Sequence, residues 1–141
     1  MKQSILSIFI VLILAACAQD NKKLASTMNQ FDVFRKKEKF TEDTLVHYTG
    51  VNDPALKSIL TEKINTVADD FEKLALTQKA IDKDYQDKIE IGLKRFNRLY
   101  LDTEDKEQVC RYVEELMDIV GVKSSDGHLN TFIYGLDPEK M

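Results

Sequence analysis

The sequence predicts an all-α fold, a compact bundle of about four longer helices plus a short C-terminal one. Three observations predict it. Apolar residues recur at spacings of three and four over long stretches. Residues that start and stop helices stand at the ends of those stretches. No stretch alternates strongly enough to read as a strand, and there is no internal repeat or low-complexity run.

The first helix is expected over about 23–39, where Leu24, Met28, Phe31 and Phe34 share one face. Arg35-Lys36-Lys37-Glu38-Lys39 then reads as a solvated helix end, with cations favoured near the C-terminus. Attraction of this run to anionic lipid head groups is the alternative. Residues 40–52 lack helical periodicity. Leu45, Val46, Tyr48 and Val51 suit a packed loop or a short extended piece. Asp53-Pro54 is a helix start, with Asp as N-cap and Pro at the first helical position. The second helix spans about 54–76 and carries Leu56, Ile59, Leu60, Ile64, Val67, Phe71, Leu74 and Ala75 inward.

Thr77 to Ile81 reads as a turn, and Asp82 as the cap of a third helix over about 83–101. Tyr85, Ile89, Gly92, Leu93, Phe96 and Leu99 mark its inner stripe. A mid-helix glycine costs up to ~1 kcal/mol relative to alanine, so Gly92 implies a close helix–helix contact. Asp102-Thr103-Glu104-Asp105 supplies a cap and first-turn acids for a fourth helix over about 104–120. Val109, Cys110, Val113, Leu116, Met117 and Val120 line it, and Gly121 ends it. Ser124-Ser125-Asp126-Gly127 is a turn-and-cap cluster before a short helix over about 127–134. That helix presents Leu129, Phe132 and Ile133 and stops at Gly135. Leu136 and Pro138 close the fold.

The chain is not uniform in composition. Of its 141 residues, 12 of the first 16 are hydrophobic, which separates an apolar leader from a polar remainder. The net charge of −4, or −5 once Lys2 leaves with the leader, argues against a nucleic-acid binder, which needs a basic footprint. It also favours neutral or basic partners.

Lys2 is a short positive region, and Ile5 to Ala16 is apolar except for Ser7. Twelve residues make roughly 18 Å of helix, too short for a hydrocarbon core of ~30 Å but suited to a secretory signal. The stretch ends in Leu14-Ala15-Ala16-Cys17, which resembles the lipobox of bacterial lipoproteins. The resemblance implies cleavage before Cys17 and acylation of its thiol, palmitate included. It thus implies a membrane as partner through that lipid. Ala18 stands where an Asp retains lipoproteins in the inner membrane, so the periplasmic face of the outer membrane is favoured. The expected organisation is a signal over 1–16, a lipidated Cys and tether over 17–23, and one helical domain over 24–141. The tether spans at most ~20 Å when extended, which holds the domain near the membrane.

With Cys17 given to lipid, Cys110 remains alone and reads as a small buried hydrophobe rather than half of a disulfide. No catalytic fingerprint is present: no H-E-x-x-H, no P-loop, no G-x-S-x-G and no dinucleotide motif. No cofactor or metal is implied. Glu114 and Asp118 share a helix face but read as solvated acids, since the Glu-x-x-His pairs of di-metal bundles are missing. Asp126, His128, Asn130 and Asp137 fall at calcium-loop positions, yet Thr131 replaces the required glycine. The richest polar cluster is Ser124, Ser125, Asp126, Asn130 and Tyr134, which either satisfies helix ends or forms a partner- or ligand-contacting patch. The stretch 115–138 resembles the C-terminal signature of a small uncharacterised bacterial family, a domain of unknown function. That resemblance supplies no activity and no site.

The expected function is therefore a non-enzymatic, protein-binding envelope lipoprotein, of which an immunity-type protein is one version. A hydrolase using His47 or His128 with carboxylates is the alternative. So is an apolar-ligand carrier with Phe31, Phe34, Phe71 and Phe96 around a cavity.

Overall fold

The computed structural model describes residues 2–135, with side chains from residue 19 onward. The thiol of Cys17, together with Leu136, Asp137 and Pro138, lies outside the described residues. Five helices follow one another: α1 (Lys2–Lys36), α2 (Pro54–Leu76), α3 (Asp82–Lys94), α4 (Thr103–Val120) and α5 (His128–Tyr134). They form the all-α bundle that the apolar spacing predicts. Among the described residues, no helix is long and apolar enough to cross a membrane.

α2 is the central element and packs against α1, α3 and α4, while α5 closes against α3 and α4. Its position follows from its sequence. Leu60, Ile64, Val67, Ala68 and Phe71 form one fully buried stripe. Asp53 Oδ1 accepts the Ala55 N–H at 2.9 Å and starts the helix where Asp53-Pro54 predicts. α4 is capped the same way: Asp102 Oδ1 accepts the Asp105 N–H at 2.8 Å. It ends on Gly121 at φ +81°. Gly92 lies against α2, and a Cβ added there would stand 2.8 Å from Val67 Cγ2. The inferred close helix contact is therefore real.

Four elements depart from expectation. α1 begins well before residue 23, so residues 18–23 are helical rather than an extended tether. Six residues of helix rise only ~9 Å. α3 stops at Lys94, not near 101, and its start is held by Asp84, whose Oδ2 accepts the Ile81 N–H at 2.8 Å. After Lys94 the chain tightens into turns, with Arg95, Phe96 and Asn97 N–H donating to carbonyls three residues back. This tightening keeps Phe96 buried while leaving Tyr100 in solvent. In the 40–52 segment, Asp43 and Tyr48 pair through two backbone bonds of 2.9 Å. Tyr48 is buried there, but Leu45 and Val46 are exposed rather than packed.

The fourth departure is Lys39, which is buried rather than solvated. Its ammonium donates to the Phe34, Lys37 and Arg35 carbonyls at 2.5, 3.0 and 3.3 Å and sits 4.6 Å from the Phe34 ring centroid. It thus satisfies carbonyls that the end of α1 leaves open. Arg35 is likewise committed, pairing with Asp32, Asp69 and Glu72 at 3.0–3.1 Å, and Lys37 pairs with Glu115.

Burial, helped by the neighbouring Lys37 ammonium, pulls the Lys39 pKa down to about 8. The unfolded chain therefore holds this proton more tightly than the folded one. Stability from this group rises as pH goes from about 8 to 10.5 and is lost again on return. Lys39→Met should cost about 1–3 kcal/mol, because the Phe34 carbonyl loses a buried donor. Urea unfolding of both proteins across that pH range should show the gap between them widening with pH. A gap independent of pH would contradict the titration.

Candidate functional site

A groove of about 950 Å³ lies between α3, the turns after it, the first turn of α4 and α5. The apolar part of its floor is Leu99, Leu101 and Phe132, with Leu93 and Phe96 buried beneath them. Phe96 and Phe132 meet edge to face with centroids 6.2 Å apart, which ties α5 to the end of α3. The early stop of α3 creates the opening, since a continuous helix to 101 would carry Leu99 and Tyr100 elsewhere.

The rim is charged. Lys94 Nζ donates to Glu90 Oε1 at 2.6 Å, one turn back on α3. That bond lowers the Glu90 pKa. Lys83 pairs with Asp87 at 2.9 Å and reaches Asp126 at 3.9 Å, and the Asp87 bond raises the lysine's pKa. Lys106, on the first turn of α4, is half-buried and makes no ion pair among the described residues. Tyr100 stands fully exposed at the edge. His128 lines the groove, and its Nε2 is buried with no hydrogen-bond partner among the described residues. Leaving such an atom unpaired costs about 1–3 kcal/mol.

The predicted polar cluster splits. Ser124 and Asp126 line the groove, whereas Ser125, Asn130 and Tyr134 do not. Ser124 Oγ accepts the Asp126 N–H at 3.1 Å, and its carbonyl accepts from Gln86 Nε2 at 3.1 Å. The Ser125 carbonyl accepts the His128 N–H at 3.2 Å. Asp126 takes φ +55°, and Gly127 follows at +78° to start α5. Asn130 and Tyr134 are exposed on α5. The segment is a helix from His128 onward, not a calcium loop, because Leu129, Phe132 and Ile133 are drawn to the core.

The two histidines are far apart in role. His47 is exposed at φ +56° in the Asp43–Tyr48 turn. His128 and Glu90 share the groove, but no hydrogen bond joins them. Among the described residues no group of three or more His, Cys, Asp or Glu is placed to hold a metal ion. Glu114 and Asp118 are exposed. Cys110 is buried, and burial pushes its thiol up to about 12, which keeps it protonated and unreactive. Phe31, Phe34 and Phe71 fill the core, and of the four phenylalanines only Phe96 borders the groove.

Sequence reasoning missed Tyr100, Glu90 and Lys106 as site residues. Tyr100 falls on the inner stripe of the expected third helix, four residues after Phe96, so periodicity alone places it inside. Lys106 and Glu90 read as ordinary helix-surface charges, and only the fold brings them to one rim.

A family described as a domain of unknown function (DUF4844) matches residues 19–137. The chain is also similar to a DUF3571 family protein from Acinetobacter baumannii AYE, known from a crystal structure. The two are 31% identical with a TM-score of 0.74, over 81% of this chain and 93% of that one. No curated protein matches the chain.

Proposed function

The chain belongs to the DUF4844 family, and from that premise we propose that it is a lipid-anchored envelope protein whose helical domain works by binding rather than by catalysis. The anchor is Cys17, on the periplasmic face of the outer membrane. The family match starts at residue 19, two positions past Cys17, which supports reading 1–17 as a leader and acylation site. With residues 18–23 helical, the domain sits closer to the membrane than an extended tether would leave it.

The observation that carries the binding reading is the groove. A partly apolar floor and a fully exposed tyrosine meet there. Exposed aromatics beside apolar floors are common anchors of protein interfaces. Binding is favoured over catalysis because, among the described residues, no histidine–carboxylate hydrogen bond in the groove orients a base.

Two measurements test the proposal in cells. Cys17→Ala should abolish palmitate labelling and release the chain from membranes, and retained labelling would refute the anchor. A photo-cross-linking residue at Tyr100 should capture a partner protein that the same residue at Ile59, exposed on α2, does not. Capture at neither position, or equally at both, counts against a protein partner at the groove.

A further inference from the structure

We propose that the groove binds an apolar molecule carrying a single anionic head, its hydrocarbon on the Leu99–Phe132 floor and its anion on Lys106. The proposal rests on the groove being the binding face, and it adds the chemistry of what enters.

Charge decides the head. The protein as a whole carries −4, yet three lysines and two carboxylates border this groove. Lys94 is neutralised by Glu90, and Lys83 is shared between Asp87 and Asp126. Lys106 is left over. It is half-buried, and no carboxylate among the described residues lies within ion-pairing distance. A partly desolvated, uncompensated ammonium is a standing attraction for one anion and not for several.

The floor decides the body. Leu99, Leu101 and Phe132 are partly exposed and offer no hydrogen-bonding side-chain atoms, so whatever covers them is apolar there. The volume, about 950 Å³, falls within the range of small-molecule sites, roughly 300–1,000 Å³. A cationic amphiphile would put its charge against Lys106, and a neutral one would leave that ammonium uncompensated. Carboxylate and phosphate monoester heads both satisfy the chemistry.

The test uses the full chain in phosphatidylcholine nanodiscs and a diazirine-bearing decanoate probe. Photolabelling should map to the groove, at Tyr100 or on α5 near Phe132. Unlabelled decanoate, decyl phosphate, or both should compete, which identifies the head. Decylamine and decanol should not. Lys106→Glu should weaken labelling about tenfold or more, the loss expected for one charge-assisted contact. Lys106→Gln should fall between, and both variants should melt like the parent by circular dichroism. Labelling outside the groove, equal competition by decylamine, or Lys106→Glu labelling unchanged would each overturn the proposal. Tyr100 cross-linking to a protein in cells, combined with failed photolabelling, would sink the ligand class alone. Failure of both would sink the groove as a binding face.

Discussion

Gly50→Ala is expected to lower the unfolding free energy by about 3 kcal/mol, adding the cost of a left-handed non-glycine residue to that of overpacking. Gly50 sits at φ +78°, and an added Cβ would meet Glu42 N at 2.7 Å, Thr41 C at 3.0 Å and the Phe40 carbonyl oxygen at 3.2 Å. All three are backbone atoms, so no side chain can swing away. The backbone is also tied down. The Val51 N–H donates to the Phe40 carbonyl at 3.0 Å, and the Phe40 N–H donates to Tyr112 Oη at 2.9 Å. Phe40 is itself fully buried at φ +56°, with its ring edge-on to Tyr112. Gly121 provides the control: it has φ +81° but nothing near its Cβ position. Gly121→Ala should therefore cost only the conformational part, about 1–2 kcal/mol. Urea unfolding of the two variants measures the difference. Equal losses would mean that the 40–42 and 50–51 backbones separate freely.

Phe71→Ala is expected to cost more, about 3–5 kcal/mol, the usual range for removing a buried phenyl ring. Phe71 is fully buried on the central helix, and its ring centroid lies 5.2 Å from that of Tyr85 on α3. Its loss opens a cavity where α2 and α3 meet, and the rigid Gly92–Val67 contact on the same helix pair limits collapse. A domain of this size has about 5–15 kcal/mol in total, so the variant should sit near the edge of folding. Phe71→Leu keeps most of the volume and should cost about 1.5 kcal/mol or less. Thermal unfolding of the two variants decides it. A loss below about 1 kcal/mol for Phe71→Ala would show that the α2–α3 interface repacks.

Much of the bundle was legible because its signals are local. Asp53-Pro54 and Gly121 mark ends through side-chain and backbone chemistry within a few residues. Gly92 was informative because a costly residue in a helix interior needs a reason. The end of α3 was not legible in the same way. Leu99 continues the apolar stripe, yet the chain prefers tight turns after Lys94 that bury Phe96 against α5 and release Tyr100. That choice depends on an element more than thirty residues further along the chain. The groove shares this dependence, since it exists only where α3 stops. Ser124 and Asp126 were singled out as polar turn residues. Lys106 and Glu90 become site residues only because α5 packs against both α3 and α4 and brings them to one groove.

Lys39 shows the same divide in one side chain. In the sequence it belongs to a run of charges, and charge runs are normally solvated. In the fold it turns back to the last carbonyls of α1, and three donated bonds with a phenyl face compensate its burial. The sequence by itself determined the helical class and the order and most boundaries of the helices. These depend on periodicity and on caps, which act over one or two turns. Only the tertiary structure decided which charges are buried, where α3 yields to turns, and which residues share a groove. Those outcomes depend on contacts between distant parts of the chain, where burial free energy outweighs local preference.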